Sequence, residues 1–243
     1  MIDLHFDKTP NCWKIAILLE ELGVPYNVIK YDLLKGEHLA PAYGKVNPNF
    51  KLPAIVDHDP GDSGGAITVA ETGAILIYLA EKHGKFLPAS LRARAPVLQW
   101  LAWQISGLGP MMGQASHFIR YAPQRHEYSM ARYQKETHRL MTVLDSVLSR
   151  GTYIAGDYSI ADIATWPLAN FAGQIGIGID LAEFPNIRRW GEMISRRPAI
   201  ERVFSNPATA VDPGYLQKSR TLTDEEWSNL FGERMLAAAQ NNR

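Results

Sequence analysis

Short apolar runs and amphipathic stretches follow one another along the first third of the chain. The run Ile2–Phe6 has the length and apolar character of a buried strand. Residues 12–23 place apolar side chains at helical spacing and stop at Gly23, which predicts a helix. Three further strands are predicted in YNVIKYDL, KLPAIVD and AITVA, with the turn cluster HDPGDSGG before the last of them, and a second helix in ETGAILIYLAEKHG.

The resulting order, β-α-β-loop-β-β-α, is that of a thioredoxin-like domain over residues 1–84. From Leu91 onward the apolar residues recur every three or four positions, which predicts an all-helical domain over 93–207 after a linker at 85–92. We therefore expect an α/β plus all-α architecture. The polar tail, 208–243, contains one candidate helix, TDEEWSNLFGERMLAAAQ, and is expected to lie over the surface.

Two local signals refine the helical domain. Ser159 and Asp162 have the spacing of a capping box, in which each side chain accepts from a backbone N–H at the start of a helix. Such a cap contributes about 0.5–2 kcal/mol. The pair Gly109-Pro110 predicts a break or kink within an otherwise helical stretch.

Composition narrows the functional classes. The 243 residues are 46% hydrophobic, and 25 basic side chains balance 25 acidic ones, so net charge indicates no nucleic-acid partner. We see no signal-peptide pattern and no apolar run long enough to span a membrane, and we expect a cytoplasmic protein. A single cysteine excludes an internal disulfide, and the seven histidines show no metal-binding spacing, so no metal is expected.

The segment TPNCWK, from Thr9 to Lys14, lies where the first strand meets the first helix. The free N–H groups and the dipole of a helix N-terminus favour an anion. Lowering a thiol pKa by about two units needs about 2.7 kcal/mol, which the dipole and one hydrogen-bond donor can supply together. The Thr9 hydroxyl and the Asn11 amide are candidate donors to such a thiolate. The alternatives are a plain N-cap for Thr9 and a turn amide for Asn11.

Two more stretches complete a candidate site. Leu52-Pro53 begins a strand and is compatible with a cis peptide bond, which would turn the Leu52 backbone outward to pair with an extended peptide. Glu71 and Thr72 begin a helix, where they could bind the ammonium and the carboxylate of an amino-acid head. Capping alone is the alternative for Glu71 and Thr72. Together the three stretches suit a peptide with a thiol and an amino-acid head, which describes glutathione.

Several ordered segments resemble a glutathione transferase, most closely the nu class and the related fungal nitrogen-regulator-like branch. These segments are TPN..K, NPN.KLPAIVDH, ETGAILIYLAEK, LQWLAWQISGLGPMMGQ, ARYQKET and YSIADIATWP. The resemblance covers roughly residues 1–205 and implies a homodimer that binds glutathione, with Pro53 cis. It also implies glutathione contacts at Asn11, His38, Lys51, Leu52, Pro53, Glu71, Thr72 and, at the inner wall, Arg132.

The chain departs from the family pattern in two ways that matter for mechanism. His38 stands where glutamine is common, which makes its hydrogen bond pH-dependent. No tyrosine precedes Tyr26, so the thiol must be activated by Thr9, Asn11 or backbone rather than by a tyrosine. Cys12 occupies the second cysteine position of a redox motif whose first cysteine is replaced. It is either buried and inert or able to form a mixed disulfide with glutathione.

The sequence thus predicts a glutathione-dependent disulfide-bond reductase with weaker transferase or peroxidase activity. Glutathione would be the cosubstrate, and the partner would be a small disulfide or electrophile, with no nucleic-acid or membrane partner. The catalytic residues would be Thr9 and Asn11. The alternative is a glutathione-binding regulatory or interaction protein that has kept the fold without significant turnover.

Overall fold

The computed structural model describes residues 1–211 and 221–241. The described residues form two compact units. The first contains Met1–Lys82, Val203–Val211 and the described residues from Leu222 onward, and the second contains His83–Arg202 and Thr221. Most of the described tail therefore packs with the first unit. Residues 212–220 and 242–243 of the predicted tail lie outside the described residues.

The first unit is built on a four-stranded sheet within the described residues, in the order β2-β1-β3-β4. β1 pairs in parallel with β2 and antiparallel with β3, and β3 and β4 form an antiparallel hairpin. Most side chains of β1 and β3, the two central strands, are buried, and most of the buried ones are apolar. The strands are β1 (Ile2–Phe6), β2 (Tyr26–Lys30), β3 (Ala54–Asp57) and β4 (Ile67–Ala70).

Helices α1 (Pro10–Leu22) and α3 (Thr72–His83) carry the apolar residues that the periodicity predicted. α1 begins two residues earlier than predicted because Pro10, which needs no N–H partner, fits its first turn. Gly23 ends it in the left-handed conformation, with φ of 69°. The loop between β2 and β3 holds a 3-10 turn, Glu37–Leu39, and the short helix α2 (Pro41–Gly44).

The single helix predicted near the C-terminus is two helices, α10 (Asp224–Phe231) and α11 (Glu233–Asn241), separated at Gly232. α11 contacts the 3-10 turn, and Ala238 packs against the buried cluster around Tyr43 and Phe50. The Asn229 side chain is buried and donates to the Leu34 carbonyl at 2.6 Å. This end of the chain is therefore an integral part of the first unit.

The second unit is helical throughout its described elements, which confirms the predicted fold class. The predicted break at Gly109-Pro110 is a π turn, in which the Gly109 N–H donates to the Gln104 carbonyl five residues earlier. The wider turn lets the helix continue past Pro110. The helices are α4 (Leu91–Trp103), α5 (Gly109–Ser116), α6 (Glu127–Leu148), α7 (Ile160–Phe171), α8 (Pro185–Ser195) and α9 (Pro198–Ser205), whose last residues belong to the first unit.

Gly36 and Gly23 offer a matched test of how α10 is held. Both have φ near 70°, but a Cβ on Gly36 would lie 2.6 Å from Asn229 Oδ1, whereas one on Gly23 would meet no described atom within 4 Å. We expect Gly23→Ala to cost about 1–2 kcal/mol of unfolding free energy, and Gly36→Ala a further ~1 kcal/mol. Urea denaturation measures both. The additional loss of unfolding free energy should vanish when Gly36→Ala is combined with Asn229→Ala. An equal loss for the two glycine variants would show that Asn229 and α10 move aside at no energetic cost.

Candidate active site

Thr9 caps helix α1. Its backbone is extended, with φ of −121° and ψ of 155°, and its hydroxyl oxygen accepts from the Cys12 N–H at 3.4 Å. Its carbonyl accepts from the Trp13 N–H at 3.0 Å. Thr9 is thus the N-cap that one of the two interpretations proposed. Capping uses an oxygen lone pair, and the same hydroxyl also forms a hydrogen bond with the Cys12 side chain.

Asn11 lies in the first turn of α1 with its side chain exposed. Its Oδ1 accepts from Lys14 Nζ at 2.9 Å. Lys14 is only 2% exposed, and burial lowers the pKa of its ammonium to about 7, partly opposed by the charge of Cys12. Lys14 was not among the predicted site residues, although a lysine inside an otherwise apolar stretch of helix is a signal visible in the sequence.

Cys12 is fully buried, and its Sγ accepts from the Asp7 N–H at 3.5 Å. Burial raises the pKa of the Cys12 thiol to about 12, and hydrogen bonds from Thr9 and Asp7 offset only part of that rise. At neutral pH the thiol is therefore protonated as well as inaccessible. Of the two interpretations of Cys12, the geometry supports the inert one, because the reactive species is the thiolate.

The Leu52-Pro53 peptide bond is cis, as the family resemblance implied. The turn before it is fixed by two side chains that donate to the Lys51 carbonyl, namely the Tyr43 hydroxyl at 2.6 Å and the Asn47 amide at 2.7 Å. Tyr43 and Asn47 are both buried. The Lys51–Pro53 backbone is consequently held in one place at the start of β3.

Lys51 and His38 both contact the C-terminal helices, Lys51 through Met235 of α11 and His38 through Asn229 of α10. Lys51 Nζ donates to the Met235 sulfur at 3.3 Å. His38 is 1% exposed, and burial together with the positive charge of Lys51 lowers its pKa to about 4. A hydrogen bond with the Asn229 backbone opposes part of this decrease. The imidazole is therefore neutral at neutral pH. Its Nδ1 is buried without a hydrogen-bond partner among the described residues.

Glu71 precedes α3 in a strained conformation, with φ of 69°. Left-handed backbone in a residue other than glycine costs about 1–3 kcal/mol and occurs preferentially at ligand sites. The Glu71 carbonyl accepts from the Ile75 N–H at 2.9 Å, and its carboxylate accepts from the Asn49 amide at 3.4 Å. The side chain is exposed, and Thr72 follows it as the first residue of α3.

The first unit thus contains every predicted site residue except Arg132. Arg132 lies on α6 of the second unit, where it pairs with Glu136 at 3.6 Å. Within residues 1–211 and 221–241, no group of three or more His, Cys, Asp or Glu side chains is arranged to hold a metal ion. No helix in the same ranges is both long and apolar enough to cross a bilayer.

Comparison with protein families identifies both units. Residues 9–82 match the glutathione S-transferase N-terminal domain, and residues 107–198 match the glutathione S-transferase C-terminal domain. The chain belongs to the glutathione transferase family.

Individual relatives agree with this assignment. This glutathione transferase is 50% identical over 200 residues to the disulfide-bond oxidoreductase YfcG of Escherichia coli, covering 82% of this chain and 92% of that protein. It is 34% identical to the protein URE2 of Candida glabrata, covering 79% and 63%. A glutathione transferase from Burkholderia graminis, solved with two glutathione molecules per subunit, is 38% identical with a TM-score of 0.80, covering 85% and 88%.

Replacing the buried cysteine of this glutathione transferase tests whether its thiol takes part in catalysis. We expect Cys12→Ala to retain glutathione-dependent activity within about twofold and to lose about 1 kcal/mol of stability, because it removes one buried atom and no reactive group. Steady-state kinetics and urea denaturation measure the two effects. A variant that folds but shows no turnover would assign the covalent step to Cys12.

Lys14 gives the transferase a predictable pH dependence of stability. Its pKa falls from 10.5 in the unfolded chain to about 7 in the folded one, so between these values the unfolded state binds the extra proton and stability rises with pH. Above pH 7, we expect the free energy of unfolding of the wild type to rise by up to about 1.4 kcal/mol per pH unit relative to that of Lys14→Met. Denaturation from pH 7 to pH 9 measures it, below the onset of Cys12 ionisation. Parallel curves for the two proteins would show that Lys14 keeps an ordinary pKa.

Proposed function

We propose that the protein is a glutathione-dependent disulfide-bond reductase, with weaker glutathione transferase or peroxidase activity. The observation that carries the proposal is the junction between β1 and α1, where the protein's own sulfur is buried while the Asn11 amide is exposed. A thiolate stabilised at this helix end must then come from a bound ligand. The 50% identity to a disulfide-bond oxidoreductase supports the choice of reaction.

Asn11 and Thr9 would stabilise the glutathione thiolate. Asn11 is the better placed donor, since its amide oxygen faces Lys14 and its NH₂ group is left for a ligand. The Thr9 hydroxyl is engaged in the cap and in a hydrogen bond with Cys12, so we assign it the smaller share. The N-terminus of α1 adds the favourable field of its dipole.

The rest of glutathione would bind along the same unit. The cis Leu52-Pro53 turn would pair with its extended backbone, and Lys51 would bind a carboxylate. The unpartnered Nδ1 of the neutral His38 would accept a hydrogen bond from an N–H of glutathione. Glu71 would bind the ammonium of the γ-glutamyl head. Thr72 and the first N–H groups of α3 would bind the neighbouring carboxylate. Arg132 is a further proposed glutathione contact, because a guanidinium can bind a carboxylate.

The reaction uses two glutathione molecules. The first thiolate attacks one sulfur of the substrate disulfide, forming a mixed disulfide and releasing one substrate thiolate. A second glutathione thiolate attacks the glutathione sulfur of the mixed disulfide and releases the other substrate thiolate. The two protons lost by glutathione end on the two product thiols, and the two electrons that reduce the substrate leave oxidised glutathione. The protein supplies position and charge stabilisation without a covalent step.

The test is turnover of hydroxyethyl disulfide with glutathione. The oxidised glutathione formed is measured by coupling it to NADPH-dependent reduction. We expect turnover that saturates in glutathione and is lost in a Thr9→Ala, Asn11→Ala double variant. Lys30→Met, a change on the exposed end of β2, serves as the matched control. Tight glutathione binding without turnover by the wild type would contradict the proposal and favour a binding or regulatory protein.

We further propose that the protein acts as a homodimer in the cytoplasm, with glutathione and a small disulfide or electrophile as its partners. Membership of the glutathione transferase family supports the dimer. Sedimentation equilibrium at micromolar concentration would give twice the chain mass of 27.1 kDa, and a single-chain mass would contradict it.

A further inference from the structure

Lys14 occupies a position that is unfavourable for a charged side chain. A fully buried ammonium loses its hydration, which costs several kcal/mol unless the charge is compensated. Lys14 is 2% exposed and is the fifth residue of α1. Local rules broken in this way occur preferentially at functional sites.

The contact of Lys14 with Asn11 determines which way the amide faces. Lys14 Nζ donates to Asn11 Oδ1 at 2.9 Å, which a lysine can do both as an ammonium and as a neutral amine. The planar amide then directs its NH₂ group away from Lys14. Because Asn11 is exposed while Lys14 is buried, this is the side that a ligand can reach. A flipped amide would present its oxygen to a thiolate and repel it.

We propose that Lys14 is a positioning residue, which fixes the Asn11 amide with its NH₂ group toward the glutathione sulfur. The inference rests on the proposed function, since it concerns the same thiolate. It adds to the thiolate-stabilising site a residue, Lys14, that does not contact glutathione and acts through Asn11. It also accounts for the presence of a lysine at this buried position of α1.

The test measures the thiol pKa of bound glutathione from the ultraviolet absorbance of its thiolate, together with kcat/KM for hydroxyethyl disulfide. We expect Lys14→Met, which keeps the length of the side chain, to raise the thiol pKa by about one unit and to lower kcat/KM about tenfold at neutral pH. The loss should shrink above the raised pKa, where the thiol ionises without help. The KM for glutathione should change less than kcat.

Two comparisons separate positioning from charge and from folding. In an Asn11→Ala background Lys14→Met should have no further effect on the thiol pKa, because the amide it orients is gone. Lys8→Met, which removes the same charge three residues before Asn11, should shift the thiol pKa by less than about a third of a unit. Circular dichroism checks folding, and Lys14→Gln, which keeps a donor, provides a second variant with an intermediate shift.

Three results would overturn the proposal. They are an unchanged thiol pKa in folded Lys14→Met, shifts from Lys14→Met and Asn11→Ala that add in full, and a Lys8→Met shift as large as that of Lys14→Met. Failure of the proposed function is distinguishable, since it would appear in the wild type as absent glutathione binding or absent turnover. The thiol pKa requires only binding, so it tests Lys14 independently of turnover.

Discussion

Replacing Asn11 by alanine is expected to lower kcat/KM for glutathione-dependent disulfide reduction about 10- to 100-fold at neutral pH. The reason is the loss of one hydrogen bond to a charged acceptor, worth about 1.5–3 kcal/mol. Without it the glutathione thiol returns toward its ordinary pKa of about 8.5 and is mostly protonated. The deficit should therefore narrow as pH rises through that value, which a pH profile of kcat/KM measures.

Companion variants make this prediction specific to the amide donor. Asn11→Asp keeps the shape and the contact with Lys14 but replaces the NH₂ group with negative charge, so its loss should be at least as large. Thr9→Ala should cost less activity, since its hydroxyl already serves the cap, together with about 1 kcal/mol of stability. Full activity in Asn11→Ala combined with inactivity in Cys12→Ala would reverse our assignment of the reacting sulfur.

The elements of the first unit were predictable because each one has a local cause. β1 buries Ile2, Leu4 and Phe6 since it lies at the centre of the sheet, and α1 ends where Gly23 adopts a left-handed backbone. The hairpin of β3 and β4 follows from two apolar runs around a turn cluster. The location of Thr9 and Asn11 was predictable for a similar reason, because a helix start after a strand places its first side chains at the edge of the sheet.

What the sequence did not reveal depends on contacts between distant residues. Asn229 and Leu34 are 195 positions apart, and Met235 and Lys51 are 184 apart. No local sequence pattern therefore predicts that the C-terminal helices contact the loop between β2 and β3. The orientation of the Asn11 amide is likewise invisible in a one-letter code. It depends on which neighbour is buried against it, and the structure identifies that neighbour as Lys14.

The capping box of α7 shows how a correct local prediction can underestimate an effect. The predicted capping box is present, and Asp162 Oδ2 accepts from the Ser159 N–H at 3.1 Å. Ser159 Oγ also accepts from the Ala161 N–H at 3.3 Å, one residue before the predicted donor. The other carboxylate oxygen, Oδ1, accepts from the Ile154 N–H at 3.0 Å and from Trp190 Nε1 at 2.9 Å. The carboxylate thus joins a loop and helix α8 to the cap, and it is completely buried.

We therefore expect Asp162→Ala to lower the free energy of unfolding by about 3–5 kcal/mol, well above the value of a cap alone. The substitution leaves three buried N–H groups without their acceptor, and each such group costs about 1–3 kcal/mol. Ser159→Ala, which removes only the hydroxyl of the cap, should cost about 1 kcal/mol. Glu226→Ala, in the exposed capping box of α10, should cost no more than that. Urea denaturation of the three variants measures the contrast, and an Asp162→Ala cost equal to that of Ser159→Ala would mean that Ile154 and Trp190 find other partners.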